Sequence, residues 1–279
     1  MTTGTPGSPA AGSEDKFLEE MNRELAGWRD PAARLRQALA RDELQLYCQP
    51  ILSLSPPGAF PMAEALVRLR EEEALLLPPG DFLPVFEHYA MMGELDRWVV
   101  RHVVRWLAAP PPGALPRFSI NVSGQTLEDA AFPRLVADEL LAQRVPPQAL
   151  VFEVDESDTL SRLDAAARFS HAVKQIGCKV LIDGFGQRSV SFIALQAMRV
   201  DFVKVDGSIV RALLRSEVAR QKLKAVVRVG ETIGVEVIAE CVEDEEILAQ
   251  LRSLRVGYAQ GFGIARPAPI DRSAALPVP

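Results

Sequence analysis

Carboxylate, amide and lysine side chains stand directly after short apolar segments throughout this sequence, where they could act together on a substrate. A single polar residue at such a place is commonly a helix cap or a solvated charge. Here one apolar segment after another ends in this way, so we predict one shared site. The residues are Glu64, Asn121, Glu153, Glu156, Asp183, Lys204, Asp206, Glu240, Glu243 and Gln260.

The carboxylates among these residues favour a bound metal. Several carboxylates at close range would raise one another's pKa sharply unless a cation compensated their charge. Oxygen donors without His or Cys select Mg²⁺ or Mn²⁺ over zinc or copper. The sequence therefore predicts a hard divalent metal, and its candidate ligands are Glu64, Asn121, Glu153, Asp183 and Glu240.

Lys204 stands two residues before Asp206, so on a strand both side chains point to the same face. Among carboxylates a lysine can orient a water or a phosphate, or it can be a neutral amine that forms a Schiff base. The acidic surroundings favour a protonated lysine and hence the first interpretation. A purely structural ion pair is the third.

Strand-like and helix-like segments alternate from Leu44 onward, which predicts a TIM-like (β/α)8 barrel, an α/β fold. The alternation extends over roughly 230 residues, a length typical of this fold. Barrel enzymes build their active sites at the carboxyl ends of the strands, where the polar residues stand. An open, doubly wound sheet is the alternative. Helices are predicted at 80–92, 94–107, 132–143, 161–176, 217–233 and 244–251.

Composition favours an ordinary globular protein of the cytoplasm. The chain is 48% hydrophobic with a net charge of −6, and no apolar run approaches the ~18 residues of a membrane span. The acidic balance argues against duplex nucleic acid as a partner. Cys48, Cys178 and Cys241 show no CxxC spacing and are predicted to be reduced, packed thiols. All three histidines fall in helical segments, which gives histidine-based acid–base chemistry no obvious place.

The composition divides the chain into four parts. Residues 1–13 form a tail of small and polar residues that cannot order itself. Residues 14–42 form a helical segment with a helix start at Asp30-Pro31. Residues 43–270 form the main domain, and residues 271–279 form a second tail.

A more specific signal comes from the segments YCQPI (47–51), EALVR (64–68), INVS (120–123), FEVDES (152–157), IDGFG (182–186), VKVD (203–206), VIAECVE (237–243) and QGFGIARPAP (260–269). In this order they resemble the motif series of EAL domains, a family that hydrolyses or binds the bacterial second messenger cyclic di-GMP. The resemblance extends from about Leu44 to Pro269. It implies a barrel whose first strand is antiparallel to the others.

The resemblance implies two metal ions. The first would be held by Glu64, Asn121, Glu153 and Asp183. Asp183 would bridge to the second, which Glu240 also holds. A water would attack the phosphodiester in line and open the ring to linear pGpG, while two ions about 3.5–4 Å apart stabilise the entering and leaving oxygens.

The same resemblance implies which residues meet the nucleotide. Lys204 would contact and help to activate the attacking water, and Arg68 would bind a phosphate. Gln49, Gln260 and Asp206, the last near the second metal, complete the ligand contacts. Glu156 and Glu243 would order the loop beside the site.

One position departs from the pattern of active members. They carry two consecutive aspartates before Phe-Gly, whereas this chain has Gly184 after Asp183, so the second metal loses a carboxylate. The following loop, 187–191, reads QRSVS where active members read TGYSS. Charge held by a metal contributes several kcal/mol in such chemistry, and each 1.36 kcal/mol is tenfold in rate. We therefore predict turnover at least about 100-fold below that of a site with both aspartates.

These observations predict a cyclic di-GMP receptor with weak or lost hydrolysis that reports ligand occupancy to a protein partner. Two alternatives stay open: an active metal-dependent phosphodiesterase in which Asp206 and water replace the missing ligand, and a protein-interaction module without nucleotide binding. Without the resemblance, a Schiff-base lyase that uses Lys204 is a further alternative. The sequence also leaves open whether the domain forms a homodimer.

Overall fold

The computed structural model of this chain describes residues 30–55, 62–72, 75–77, 79–109, 117–187 and 192–270. The chain forms two compact units. The smaller is Met1–Gln45 with Arg68–Met91, and the larger is Leu46–Val67 with Met92–Pro279. Both predicted tails and the first part of the predicted helical segment 14–42 lie outside the described residues.

In the larger unit, eight strands close into a barrel. Neighbouring strands run parallel in the order β2-β4-β5-β6-β7-β8-β9. Strand β1 pairs antiparallel with β9, and its additional pairing with β2 completes the ring. The prediction of a barrel with a reversed first strand is confirmed, and the open sheet is wrong. The strands are β1 (Leu44–Ser53), β2 (Met62–Glu72), β3 (Leu75–Leu77), β4 (Arg117–Val122), β5 (Leu150–Asp155), β6 (Lys179–Phe185), β7 (Phe202–Val205), β8 (Glu236–Ala239), β9 (Tyr258–Ala259) and β10 (Ala268–Pro269), the last paired with β1.

The helices follow the predicted alternation. Four short helices, at 124–127, 156–161, 193–198 and 207–211, are not predicted, because four to six residues are too few to show a helical period. The helices are α1 (Pro31–Ala40), α2 (Pro79–His88), α3 (Met92–Leu107), α4 (Gly124–Leu127), α5 (Phe132–Gln143), α6 (Glu156–Ser161), α7 (Leu163–Ile176), α8 (Ile193–Met198), α9 (Gly207–Arg211), α10 (Glu217–Ile233) and α11 (Glu245–Ser253).

The smaller unit contains α1, α2 and β3 with the adjoining ends of β1 and β2. The Asp30 carboxylate caps α1 by accepting a hydrogen bond from the Ala33 amide at 2.9 Å, and Pro31 stands in the first turn, where no backbone donor is needed. The helix predicted at 80–92 is too long. The observed α2 ends at His88, and Ala90 has a left-handed φ of 53° that no helix continues.

Candidate functional site

The barrel strands place most predicted site residues two positions away from a residue of the barrel core. Side chains two apart on a strand point to the same face. Glu64 therefore stands beyond the core residue Met62 on the same face of β2, and Gln49 precedes Ile51 by two on the reversed strand. The other pairs of core and site residues are Val151 with Glu153, Leu181 with Asp183, Phe202 with Lys204, Ile238 with Glu240 and Tyr258 with Gln260.

Glu64 is the centre of a hydrogen-bonded cluster at this end of the barrel. Its Oε1 accepts a hydrogen bond from Asn121 Nδ2 at 2.9 Å, and its Oε2 accepts from Gln260 Nε2 at 2.8 Å. Lys204 Nζ donates to the same Oε2 at 3.2 Å. Burial alone would raise the pKa of Glu64, but the charge of Lys204 and the hydrogen bonds outweigh it and lower the pKa. Glu64 is thus held as an anion with a fixed orientation.

Lys204 is fully surrounded, with 1% of the residue exposed. Its ammonium contacts Glu153 Oε1 and lies 3.8 Å from Asp183 Oδ1. Burial would lower the pKa of Lys204, but Asp183, Glu153 and Glu64 together raise it well above its usual range. Burial, and then the charge of Glu64, raise the pKa of Glu153. The lysine is therefore an ammonium in ion pairs, which argues against the neutral amine that a Schiff base requires.

This acidic cluster carries more negative than positive charge. Three carboxylates surround one ammonium, and two of their oxygens, Glu153 Oε2 and Asp183 Oδ1, are buried without a hydrogen-bond partner among the described residues. Such hard oxygen donors suit Mg²⁺ or Mn²⁺. The donor set fits a divalent cation in charge and chemistry. In the described part of the chain, however, no three Asp, Glu, His or Cys side chains are already arranged to hold one, and the Lys204 ammonium lies between the carboxylates.

Glu240 and Asp206 lie at neighbouring strand ends. The amide of Gly207 donates to Glu240 Oε1 at 2.7 Å, and Asp206 Oδ1 caps helix α9 by accepting from the Ser208 amide at 2.9 Å. Burial, followed by the charge of Asp183, raises the pKa of Glu240. These carboxylates therefore share one electrostatic environment with the first cluster.

Gly184 lies at a bulge near the end of β6. The pairing of β6 with β7 shifts register between Ile182 and Phe185, and Gly184 has a φ of 67°. Just beyond, the amide of Gly186 donates to Glu156 Oε2 at 3.0 Å, so Glu156 contacts the loop that it is predicted to order. Of that loop, residues 188–191 lie outside the described residues.

A cavity of about 240 Å³ opens beside the cluster. Arg211 and Phe262 line it, although neither is predicted from the sequence because neither stands at a strand end. The sequence predicts a packed thiol at Cys241, whereas this residue is half-buried at the cavity with a left-handed φ of 56°; Cys48 and Cys178 are buried as predicted. The lining residues are Gln49, Glu64, Arg211, Glu240, Cys241, Glu243, Gln260, Gly261 and Phe262.

Two glycines let the segment after β9 approach the cavity. A Cβ at Gly261 would lie 2.1 Å from the backbone oxygen of Val242, and one at Gly263 would lie 2.4 Å from the backbone of Glu243. Backbone hydrogen bonds fix this contact, since Gly263 donates to Val242 and Val242 donates to Gln260, both at 2.9 Å. The close approach sets Gln260 and Phe262 at the cavity, which explains the glycines of the QGFG segment.

Asp96 on helix α3 supports the site and is not among the residues predicted from the sequence. Its Oδ2 accepts hydrogen bonds from the Ser123 amide at 3.0 Å, from Ser123 Oγ at 2.7 Å and from Thr126 Oγ1 at 2.6 Å. Ser123 follows Asn121 by two residues and caps α4. Asp96 thus fixes the turn that directly follows the strand carrying Asn121. A lone carboxylate inside a helix gives no sequence signal for this role.

Asp96 should make stability depend on pH in an unusual direction. Burial raises the pKa of Asp96 to about 6, although the hydrogen bonds from Thr126 and Ser123 act to lower it. Because the folded-state pKa exceeds the unfolded value, protonation favours the folded state, and stability falls as pH rises from about 4 to 6.5. In urea titrations, the difference in unfolding free energy between wild type and Asp96→Asn should change by roughly 2–3 kcal/mol over this range.

Asp201→Asn is the matched control for this measurement. Burial alone would raise the pKa of Asp201. Hydrogen bonds from Lys174 and the Val180 amide outweigh this effect and lower the pKa. Its contribution to stability should therefore be lost as pH falls, opposite in sign to that of Asp96. Parallel profiles for wild type and Asp96→Asn between pH 4 and 6.5 would contradict the assignment.

Arg68 lies on β2 within the smaller unit, and its predicted contact with a phosphate stays a prediction.

Across the described ranges, no helix combines the length and apolarity needed to cross a membrane.

Comparison with known proteins gives consistent matches. The sequence pattern of the family described as EAL domain matches residues 32–267. Cyclic di-GMP phosphodiesterase PdeF of Escherichia coli K12 is 31% identical over 240 residues, which cover 85% of this chain and 32% of PdeF. Cyclic di-GMP phosphodiesterase PdeB of Shewanella oneidensis is 29% identical over 258 residues, covering 91% of this chain and 30% of PdeB. The chain thus spans about a third of the length of these relatives.

Two solved structures share the fold. The EAL domain of FimX from Pseudomonas aeruginosa bound to c-di-GMP superposes with a TM-score of 0.80 at 28% identity, covering 86% of this chain and 96% of that domain. The PaMucR phosphodiesterase in complex with c-di-GMP superposes with a TM-score of 0.78 at 29% identity, covering 86% of this chain and 98% of that one.

Proposed function

Because this chain belongs to the EAL domain family, we propose that it binds cyclic di-GMP and hydrolyses it slowly or not at all. One observation carries the proposal: the hydrogen-bonded cluster around Glu64 and Lys204 lies beside a cavity, while residue 184 offers no carboxylate. The names of the relatives and the bound ligands of the similar structures support the choice of nucleotide.

Gln260 is held in an orientation that suits recognition of a polar ligand. Its Nε2 donates to Glu64 Oε2 and to Gln49 Oε1 at 3.2 Å, while Gln49 Nε2 donates to the Ala265 carbonyl at 3.0 Å. These bonds fix the amide so that its Oε1 is buried without a partner among the described residues. A buried acceptor without a donor is costly. We assign it to an N–H group of the nucleotide.

Phe262 is the proposed stacking surface for a guanine base. The residue is 60% exposed at the cavity, and the guanidinium of Arg266 lies 4.9 Å from the ring centroid. Stacking of a base on an aromatic ring contributes about 1–3 kcal/mol. Phe262→Ala should therefore weaken cyclic di-GMP binding about tenfold or more in isothermal titration calorimetry.

Leu141→Ala is the control for that variant, because Leu141 is 79% exposed on helix α5 and does not line the cavity. It should leave the affinity unchanged. Equal affinities of wild type and Phe262→Ala would remove Phe262 from the ligand site.

The metal in this proposal is Mg²⁺ or Mn²⁺. When bound, such an ion stabilises charge on a phosphodiester and activates water. Glu64, Asn121, Glu153 and Asp183 would hold the first ion, and Asp183 and Glu240 a second. Lys204, as an ammonium, would orient a water or a phosphate oxygen.

Calorimetry with cyclic di-GMP tests the proposed function, with Mn²⁺ in one series and EDTA in the other. We expect a Kd of roughly 10 µM or tighter in Mn²⁺ and pGpG formation close to background. An absence of binding at tens of micromolar nucleotide would overturn the proposal and favour a protein-interaction module.

The second candidate is a working phosphodiesterase, favoured by the presence of Lys204, Asp183 and Glu240 at adjoining strand ends. It predicts steady pGpG production that Glu64→Ala abolishes.

A receptor would instead transmit ligand occupancy to a protein partner or through a homodimer. Size-exclusion chromatography with and without nucleotide can detect a change in oligomeric state.

A further inference from the structure

Another cavity, of about 420 Å³, lies between helices α7 and α8. It shares no lining residue with the cavity beside Gln260 and Phe262. Ser170 Oγ on α7 donates a hydrogen bond to the carbonyl of Met198 at the end of α8, which holds the two helices together beside this cavity. A volume of this size suits a small molecule. We call it the α7–α8 cavity.

Side chains that donate hydrogen bonds line the α7–α8 cavity. His171, Lys174 and Gln175 come from one face of α7, because they are spaced three and four residues apart. Arg199, the C-cap residue of α8, also lines the cavity. None of the lining residues is acidic. An ammonium, a guanidinium, an imidazole and an amide can all donate hydrogen bonds to the oxygens of an anion.

The charged groups around this cavity have a positive balance, although the whole chain has a net charge of −6. Lys174 Nζ pairs with Asp201 Oδ2 at 2.7 Å, and Lys179 Nζ pairs with the other oxygen of the same carboxylate at 3.2 Å. Arg199 forms no ion pair within the described part of the chain. One carboxylate therefore balances three cations only in part, and the local field attracts an anion.

Arg199 stands in a backbone conformation that arginine rarely adopts. Its φ is 49°, in the left-handed region, at a helix end where glycine or asparagine is the usual residue. The Arg199 amide donates to the Leu195 carbonyl at 3.1 Å, which fixes this turn. The chain thus accepts an unfavourable residue at a position that brings a guanidinium to the cavity.

The remaining wall of the cavity is apolar. Ala167, Ala197 and the buried Met198 form it. A free phosphate ion would leave this wall in contact with water, whereas an organic group attached to the phosphate would cover it. The wall therefore favours a ligand with an anionic head and an apolar body.

We propose that the α7–α8 cavity binds a small phosphate monoester. Arg199, His171 and Lys174 would bind the phosphate, and the organic group would lie against Met198. Arginine suits this role because its planar guanidinium binds phosphate through two parallel hydrogen bonds. The inference goes beyond the proposed function, since neither cyclic di-GMP nor a metal ion takes part.

Phenyl phosphate is the probe, because it joins a phosphate to one apolar ring. Saturation-transfer NMR with the full chain in EDTA measures its Kd, and competition measures the Kd of inorganic phosphate and of phenol. We expect phenyl phosphate to bind at least about fivefold more tightly than either comparison ligand. An equal affinity for phenol or for inorganic phosphate would overturn the proposal, as would an absence of saturation transfer at ~5 mM phenyl phosphate.

Arg199→Met and His171→Gln test where the probe binds. Both residues are exposed, so the substitutions leave the packed core intact, and each should weaken phenyl phosphate binding at least about fivefold. Arg168→Met is the control, because Arg168 is exposed on the same helix and does not line the cavity. It should change the Kd by less than about twofold. An unchanged Kd in Arg199→Met would overturn the inference.

Competition with cyclic di-GMP separates this site from the nucleotide cavity. Excess cyclic di-GMP should leave the phenyl phosphate signal unchanged. Displacement would place the probe beside Gln260 and Phe262 and would overturn the inference. The proposed function is judged separately, by the binding of cyclic di-GMP itself.

Discussion

Gly184→Asp should raise the rate of pGpG formation at least about 100-fold over wild type. The substitution places a carboxylate on β6 next to Asp183, where a cation shared with Glu240 would meet it. In wild type, glycine at position 184 supplies no such carboxylate. The assay is the steady-state conversion of cyclic di-GMP to pGpG in Mn²⁺, measured by chromatography.

Two local costs limit the effect of the single variant. Residue 184 has a φ of 67°, a conformation that aspartate adopts more easily than most residues but at a cost of about 1 kcal/mol. The new carboxylate would also meet the Asp155 carboxylate, whose Oδ2 is 3.5 Å from the added Cβ. Removing the second charge with Asp155→Asn should therefore raise turnover beyond that of Gly184→Asp alone.

Glu64→Ala in the Gly184→Asp background is the control, and it should return pGpG formation to background. If Gly184→Asp binds cyclic di-GMP and two Mn²⁺ ions but shows no gain in turnover, the missing carboxylate does not limit the rate. The altered loop at 187–191 would then be the next segment to exchange.

The strand register explains why most of the site could be predicted from the sequence. A barrel core requires an inward residue on every strand, and the next inward position is two residues further on. Glu153 after Val151 and Lys204 after Phe202 follow this rule directly. The interpretation of the fold and of the site thus depended on the same strands. The closed barrel confirmed the fold, while the roles of these side chains stay a prediction.

The rest of the site depends on contacts between distant parts of the chain. Asp96 lies in a helix and becomes part of the site only when α3 packs so that its carboxylate reaches Ser123. Phe262 is one apolar residue in a loop, and only the close approach at Gly261 brings it to the cavity.

Loss of the Lys204 ion pairs should have the largest effect on the free energy of unfolding. Lys204→Met keeps much of the side-chain volume but leaves Glu64, Glu153 and Asp183 without their ammonium. Removing one partner of a buried ion pair costs about 3–5 kcal/mol, because the remaining charges stay desolvated and unpaired. For a chain of this size, each kcal/mol lowers Tm by about 2–4 °C. In EDTA, the variant should therefore unfold roughly 10 °C below wild type in calorimetry.

Divalent metal should rescue Lys204→Met more strongly than it stabilises wild type, which separates this loss from ordinary misfolding. Without the ammonium the carboxylates bind a cation more tightly, and a ligand that binds only the folded state stabilises by an amount that grows with its affinity. Lys174→Met, which removes a partly exposed partner of Asp201, is the control and should cost no more than about 1 kcal/mol with no response to Mn²⁺. If Mn²⁺ raises the Tm of Lys204→Met no more than that of wild type, the acidic cluster is a structural ion-pair network and its carboxylates do not receive a metal.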